Sequence, residues 1–338
     1  MEVRNEKADS LVSITRMTHD TAIYAYDYLL RSGVSLNAVS QRRVFAGALI
    51  RVNEGHGCVH PWPEFGDAPV EEQLRLLAQG ITTPVTEMAL RCAQIDGAAR
   101  RAGISLFENL EIPRSHYSWS FAAETEPQME RVLAEGWPAV KAKGFSNHGE
   151  TMRFLAGCAR RFEEQGVRLR VDFNGVLDRL TFAKFVEFMP LHIHRALDFV
   201  EDPFPYDADA WEHLRQRWGV RLALDKGWKQ GTHGFDTVVV KPARRDWRTV
   251  AQAHPDKPLV MTSAMDHAFG QMFAAYEAAT AQAEGHSLDY CGLCTDHLFE
   301  KDAFFERMST HGGHLQADRG GGGLGFGDVL ENLPWRRL

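Results

Sequence analysis

The chain divides into two parts that differ in the spacing of their hydrophobic residues. Between Ile23 and His60 apolar and polar residues alternate, and the turn-forming segments 32–33 and 53–55 interrupt the pattern, which predicts an antiparallel meander. From Val70 to about Gly103 the apolar positions recur at helical spacing, so we expect two or more helices there. Residues 1–112 are therefore predicted to form an α+β domain.

Beyond Pro113 the sequence repeats a different unit, a short apolar run that ends in polar residues and is mostly followed by a helix-like segment. Parallel strands buried on both faces have this pattern, and eight of them with intervening helices favour a closed (β/α) barrel. An open doubly wound sheet remains an alternative, because counting runs does not show closure. The runs are Ser118–Ala122, Ala139–Phe145, Leu169–Phe173, Asp198–Val200, Arg221–Leu224, Thr237–Val240, Pro258–Met261 and Ser287–Leu293.

The amino-acid composition limits which partners and which cellular location we expect for the protein. The 338 residues are 44% hydrophobic and 25% charged, as in an ordinary globular protein. The formal net charge of −7 argues against nucleic acid or anionic lipid as a partner. We expect a cytoplasmic protein, because we find neither an apolar leader nor a stretch of roughly eighteen apolar residues. The five cysteines favour free thiols, and the close pair Cys291 and Cys294 lacks the second ligand pair of a structural zinc site.

Charged residues directly follow five consecutive runs, at the strand ends where a parallel barrel presents its active site. One such charge is usually the solvated start of a loop, but five in succession favour a functional site. They are Lys141 and Lys143, then Asp172, Glu201, Asp225 and Lys241.

The three carboxylates are expected to converge, and their repulsion would raise their pKa values unless a cation lay between them. Oxygen ligands suit a hard ion, so Mg²⁺ is the predicted cofactor. Removing a proton beside a substrate carboxylate creates an enediolate, which positive charge stabilises. Lys141 and Lys143 lie two apart and so share one face of a strand, and a partly desolvated lysine near a cation is a competent base.

Further segments resemble motifs of a known family. Residues 141–143 are similar to a Lys-x-Lys motif, residues 262–270 to a Ser-Ser-x-x-Glu-x-x-x-Gly segment, residues 323–325 to a terminal Gly-Leu-Gly, and residues 89–96 to a capping-domain helix. The ordered set resembles the enolase superfamily, specifically its muconate-lactonising-enzyme-like branch and most closely the o-succinylbenzoate synthases. Three departures are Lys226 and Asp266 where the family commonly has Glu, and a short segment between Asp225 and Lys241 in which we expect no helix.

The resemblance implies a fold and a reaction. The fold is a (β/α) barrel of the enolase-superfamily type over 113–311, with an α+β capping domain over 1–112 that the tail 312–338 completes. The reaction is Mg²⁺-dependent syn dehydration of 2-succinyl-6-hydroxy-2,4-cyclohexadiene-1-carboxylate to o-succinylbenzoate, a step of menaquinone biosynthesis. The implied roles are catalysis for Lys143 and Lys241, substrate binding for Lys141, Ser263 and Asn174, and metal binding for Asp172, Glu201 and Asp225.

Other functions are also compatible with the sequence. An N-succinylamino acid racemase or a dipeptide epimerase would use the same two lysines, although an epimerase should carry an Asp-x-Asp near the last strand and residues 288–291 do not. Muconate cycloisomerisation is a further alternative, and a non-catalytic carboxylate-binding barrel is the remote one. The segment Ser32–Arg43, with Arg42 and Arg43, is predicted either to cover the pocket or to be an ordinary hairpin loop. The oligomeric state is left open.

Overall fold

The structure of the protein is a computed structural model, and it describes residues 21–29, 42–121, 124–317 and 321–338. Predictions that concern residues 1–20, the turn at 32–33 or most of the segment 32–43 lie outside the described residues. Within the described ranges, no helix is both long enough and apolar enough to cross a membrane.

The N-terminal part contains the predicted antiparallel meander. Its strands are β1 (Thr21–Leu29), β2 (Val44–Val52) and β3 (Gly55–Val59), and β2 pairs with both others. The short strand Arg336–Arg337 pairs with the other edge of β1, so the C-terminal tail joins this sheet. The exact domain boundaries at 112 and 312 stay a prediction.

Two helices cover this sheet, as the helical spacing predicts. They are Val70–Ala78 and Pro84–Ala102. The second begins after Thr83, which exchanges capping hydrogen bonds with Thr86, and its C-cap is Gly103 with a φ of 68°. Glycine in β3 lets this helix approach closely, since a Cβ on Gly57 would lie 2.0 Å from a backbone carbonyl oxygen of the helix.

The second part is a curled parallel sheet with its strands in sequence order. Each strand pairs with the next, and helices follow most of them on the outside. The seven strands found among the described residues are β4 (Tyr117–Ser118), β5 (Ala139–Lys143), β6 (Arg168–Asp172), β7 (Leu197–Glu201), β8 (Leu222–Leu224), β9 (Thr237–Val240) and β10 (Leu259–Met261). The predicted (β/α) architecture is therefore confirmed.

The eighth predicted run, Ser287–Leu293, is not a regular strand. It makes isolated bridges instead, to Leu259 and Thr262 on one edge of the sheet and to Ser115 on the other. A Cβ on Gly292 would lie 2.8 Å from side-chain atoms of both flanking segments, so the backbone passes through a narrow space here. The regular sheet is thus a seven-stranded half-barrel whose edges this segment connects, which corrects the expectation of eight regular strands. The first run is also shorter than predicted, since β4 has two residues and Ala122 lies outside the described ranges.

The expected absence of a helix between Asp225 and Lys241 is confirmed, because residues 225–236 are all described and none is helical. The helices associated with the half-barrel are Thr125–Ala134, His148–Glu164, Arg179–Glu187, Leu191–Ala196, Ala208–Trp218, Trp247–Ala253 and Ala268–Ala283. The chain ends with the hairpin strands Ser309–His311 and His314–Gln316, the helix Gly327–Glu331 and the strand Arg336–Arg337.

The interior of the half-barrel has an apolar layer below its open end. Phe199, Ala223, Val239 and Val260 form this layer, one from each of four adjacent strands. Because side chains alternate along a strand, the residues two positions later lie above the layer, toward the N-terminal domain. The charged residues Glu201, Asp225 and Lys241 therefore lie above this apolar layer.

Candidate active site

A cavity of about 570 Å³ lies between the N-terminal domain and the carboxyl ends of the strands. All eight residues that the sequence assigned to a site line this one cavity. They are Lys141, Lys143, Asp172, Asn174, Glu201, Asp225, Lys241 and Ser263.

The two lysines of β5 point into the cavity, as their spacing predicts. Lys141 Nζ lies 2.5 Å from Glu201 Oε2 and 3.3 Å from Asp172 Oδ2, and Lys143 Nζ lies 2.5 Å from the same Asp172 oxygen. Val140 and Ala142, on the opposite face, are buried beneath the surrounding helices. Asp172 is thus held between two ammonium groups.

Lys241 lies on the other side of the cavity. It follows β9, which is four strands away from β5 in the sheet, and its Nζ donates to Asp225. The three carboxylates occupy the arc between Lys143 and Lys241, at the ends of β6, β7 and β8. A substrate in the cavity therefore has a lysine on each of two opposite sides.

The two neighbouring lysines have pKa shifts of opposite sign. Burial lowers the pKa of Lys143, and the charge of Lys141 adds to this effect, so the attraction of Asp172 does not restore it. Burial acts on Lys141 as well, but Glu201 and Asp172 together outweigh it and raise its pKa. Lys141 is consequently held as a cation, and Lys143 loses its proton more easily than an ordinary lysine.

Repulsion among the carboxylates is visible at Glu201. Burial and the neighbouring charge of Asp172 raise its pKa to about 7 despite the contact with Lys141. Burial, with Asp225 and Glu201 nearby, also raises the pKa of Asp202, a residue that the sequence reasoning missed. Asp202 has a φ of 40°, and its carboxylate accepts a hydrogen bond from the backbone N–H of Asp225. Asp202 therefore positions Asp225. Its place in the sequence, directly after Glu201, was the signal that could have identified it.

The donor set suits a hard divalent cation, because the carboxylates supply only oxygen atoms and their mutual repulsion is incompletely relieved. Each of the three carboxylates contacts a lysine. Among the described residues, no group of three or more His, Cys, Asp and Glu side chains is arranged as a metal site. Metal binding by Asp172, Glu201 and Asp225 stays a prediction, and it requires these lysine contacts to open.

Asn174 and Ser263 lie in the cavity wall with different surroundings. Asn174 has a φ of 53°, its backbone N–H donates to Asp172 Oδ1, and its buried Nδ2 has no hydrogen-bond partner within the described ranges. Ser263 Oγ lies 3.0 Å from Thr295 Oγ1, which in turn donates to Gln271. Both residues offer polar atoms to a ligand, and substrate binding by them stays a prediction.

The N-terminal domain contributes part of the wall through residues that the sequence reasoning missed, Trp62, Glu64 and Phe65. Trp62 Nε1 donates to the backbone carbonyl of Ala264, which ties this segment to the half-barrel. Arg42 Nε lies 2.5 Å from Glu64 Oε1, so the end of the segment 32–43 contacts the cavity wall. Whether that segment covers the pocket stays a prediction.

Other missed residues are basic. Lys226, Arg244 and Arg245 line the cavity, each a few residues after a strand end. Beneath Asp172 on the same strand face, the fully buried Arg170 bonds to Asp198 and Asp289 at 2.8 Å each. The sequence prediction considered only the charged residues at the strand ends, so it did not include these positions.

Cys291 and Cys294 are buried and not disulfide-bonded, which agrees with the prediction of free thiols. Burial raises the pKa of Cys291 to about 12.

Comparison with known proteins gives the same architecture. Residues 23–99 match the family model "O-succinylbenzoate synthase, N-terminal domain", and residues 124–243 match "Enolase C-terminal domain-like". The chain is 32% identical over 326 residues to an o-succinylbenzoate synthase from Bdellovibrio bacteriovorus, covering 92% of this chain and 97% of the relative.

Two solved structures share the fold at low identity. A dipeptide epimerase from Methylococcus capsulatus, complexed with Mg and the dipeptide L-Arg-D-Lys, superposes with a TM-score of 0.69 at 17% identity, covering 90% of this chain and 98% of that one. An N-succinyl Arg/Lys racemase from Bacillus cereus superposes with a TM-score of 0.67 at 15% identity, covering 83% and 88%.

Proposed function

Because the chain belongs to the o-succinylbenzoate synthase family of the enolase superfamily and is an enzyme of the lyase type, we propose that it dehydrates 2-succinyl-6-hydroxy-2,4-cyclohexadiene-1-carboxylate to o-succinylbenzoate. This reaction is a step of menaquinone biosynthesis. The observation that carries the proposal is the placement of Lys143 and Lys241 on opposite sides of one cavity, with three carboxylates between them.

Lys143 is the proposed base. In its neutral form it removes the proton from the ring carbon that bears the carboxylate, and it then gives that proton to the departing hydroxyl, which leaves as water. One residue suffices for both transfers when the elimination is syn. The lowered pKa of Lys143 supports this role, because the neutral amine becomes accessible closer to neutral pH.

Lys241 and Lys141 are proposed to act as cations. Lys241 stabilises the negative charge that develops on the substrate carboxylate as the proton leaves, from the side opposite the base. Lys141, two residues from Lys143 on the same strand face, adds a further positive charge that binds the substrate carboxylate.

Asp172, Glu201 and Asp225 would hold a divalent cation, generally Mg²⁺ in this superfamily, which when bound supplies positive charge next to the developing enediolate. Charge balance supports the cation. With Lys143 neutral, as its role of base requires, the ammonium groups of Lys141 and Lys241 do not balance the three carboxylates. The proposed substrate is a dianion, so a divalent cation and the substrate together add no net charge to the buried site.

The racemase and epimerase alternatives use the same two lysines. One observation weighs against a dipeptide epimerase: Asp289, the acidic residue near the last strand, is engaged by Arg170 and Arg221 rather than facing the cavity. An N-succinylamino acid racemase remains the second candidate, since its chemistry also begins with proton removal beside a carboxylate.

Turnover of the cyclohexadiene substrate by the purified protein tests the proposal. We expect turnover with Mg²⁺, its loss with EDTA, and a decrease of kcat by about 10²–10⁴-fold in Lys143→Ala, because general acid–base catalysis contributes on that order. Lys184→Ala, at an exposed lysine on a helix outside the cavity, is the control and should keep full activity. Absence of turnover with Mg²⁺ would contradict the proposal and direct the same assay to N-succinyl amino acids.

A further inference from the structure

Two basic side chains in the cavity wall have no carboxylate partner among the described residues. Lys226 Nζ lies 3.3 Å from the backbone and side-chain oxygens of Asn174 and 4.6 Å from the centre of the Phe65 ring. The Arg245 guanidinium lies 4.6 Å from the centre of the Trp228 ring. The other cations that line the cavity, Lys141, Lys143, Lys241 and Arg244, each contact a carboxylate.

Both side chains are only partly exposed, so water does not fully compensate their charge. Burial lowers the pKa of Arg245, although Asp225 attracts its charge. The carboxylate of Asp225 already contacts Lys241, so it does not neutralise the charge of Arg245 as well. A partly buried cation without a carboxylate partner is a binding position for an anion.

The two positions belong to one region of the wall. Lys226 and Trp228 lie in the segment without a helix that follows β8, and Arg245 packs against Trp228 from the segment after β9. Lys226 also contacts Phe65 of the N-terminal domain and Asn174 next to Asp172. Both side chains therefore line the part of the cavity wall that follows β8 and β9, the strands whose ends carry Asp225 and Lys241.

We propose that Lys226 and Arg245 bind the carboxylate at the free end of the succinyl arm. This inference rests on the proposed function, which gives the substrate two carboxylates: one beside the reacting carbon, near the lysines and the acidic cluster, and one on the arm. Charge-assisted hydrogen bonds from an ammonium and a guanidinium select a dicarboxylate over a ligand of the same shape with an uncharged arm.

Two ligands that differ only in the arm carboxylate test whether Lys226 and Arg245 bind that group or attract any anion. Binding to the Mg²⁺-loaded protein is measured by calorimetry with o-succinylbenzoate and with 2-butanoylbenzoate, in which a methyl group replaces the arm carboxylate. We expect Lys226→Gln and Arg245→Gln each to weaken binding of o-succinylbenzoate about tenfold or more, since a hydrogen bond to a charged group is lost. Binding of 2-butanoylbenzoate should change by less than about twofold, and Lys226→Arg should recover most of the affinity.

The control variant is Lys229→Gln, which removes an exposed lysine from the same segment and should alter neither ligand. Equal losses for both ligands, or no loss for o-succinylbenzoate, would overturn the assignment. Steady-state kinetics should show the Lys226→Gln effect mainly in KM, with a smaller change in kcat.

Failure of the proposed function is distinguishable from failure of this subsite. If the wild-type protein does not turn over the cyclohexadiene substrate, the same variants are compared with N-succinyl- and N-butanoyl-phenylalanine, whose arms differ in the same way. A preference for the succinyl ligand that disappears in the variants supports the subsite under either activity. No preference in the wild-type protein for either succinyl ligand would overturn it.

Discussion

His60 and His267 are buried where the N-terminal domain meets the half-barrel. The ring of His267 lies 4.5 Å from that of Tyr26, and its Nδ1 accepts a hydrogen bond from the backbone N–H of Phe269. Burial lowers the pKa of each histidine to about 3. An unfolded chain binds a proton at each histidine below its ordinary pKa of about 6.5, whereas the folded chain does not, so these groups lower the free energy of unfolding as pH falls from about 6.5 toward 3.

The change His267→Asn tests this linkage. Asparagine keeps a hydrogen-bond acceptor but does not titrate, so the slope of unfolding free energy against pH between 6 and 4 should differ from the wild type by about 1.4 kcal/mol per pH unit. Urea unfolding at several pH values measures the slope. His314→Asn, at an exposed histidine, should leave the slope unchanged. Parallel curves for the wild type and His267→Asn would contradict the assignment of a buried neutral histidine.

At the same scale, the sequence predicts which charges meet but not how they pair. Position directly after a buried strand was enough to place Lys143, Asp172 and Lys241 in one cavity. The contact of Asp172 with both Lys141 and Lys143 depends on the curvature of the sheet, which hydrophobic spacing does not encode. Lys226 also escaped a functional assignment, because one sequence does not show which loop charges turn inward.

Among the elements, the helix Pro84–Ala102 and the glycine-rich tail support each other. Asp96 on the helix accepts hydrogen bonds from the backbone N–H groups of His56 and Leu324 and pairs with Arg100 at 2.6 Å. A Cβ on Gly323 would lie 2.1 Å from Asp96 Oδ1. The two segments that carry the family resemblance at 89–96 and 323–325 are thus parts of one buried contact.

Gly323→Ala should therefore destabilise the protein by about 2 kcal/mol or more, since it adds both a strained backbone and a steric conflict with a buried carboxylate. Gly321→Ala is a matched control, because Gly321 also has a positive φ, 81°, but a Cβ there would meet nothing closer than 3.8 Å. Its expected cost is about 1 kcal/mol, from the backbone alone. Denaturant unfolding measures both, and equal losses would show that Asp96 can move aside.

Strands that pair regularly along their length were predictable from the sequence. A segment that makes only isolated bridges was not. The strand Thr237–Val240 has the bounds that its apolar run indicates, because nothing interrupts its burial. The segment 287–293 has a similar apolar pattern but bonds to two different edges, through Cys291 on one side and Gly292 on the other. The hydrophobic pattern predicts that such a segment is buried. It does not predict that successive residues bond to different edges of the sheet.

On the scale of the whole molecule, two sets of ion pairs among the described residues join the N-terminal domain to the half-barrel. Near the cavity, Arg244 makes two hydrogen bonds to Asp67, which also accepts from the backbone N–H of Trp62. Outside the cavity, Arg91 bridges Asp246 and Glu277. Only the first set holds a segment of the cavity wall, so the two sets should affect function differently.

Removing the first set should loosen the segment 62–65 over the cavity. We expect Arg244→Met and Asp67→Asn each to raise KM about tenfold, with a smaller change in kcat, because the reacting groups themselves remain in place. The double variant should be no worse than the worse single variant, with a coupling of about 1–3 kcal/mol in kcat/KM. Arg91→Met removes the second set and should lower the free energy of unfolding while leaving kcat/KM within about twofold. If Arg91→Met changed KM as much as Arg244→Met, the position of the whole N-terminal domain, rather than the local hold on Trp62, would control access to the site.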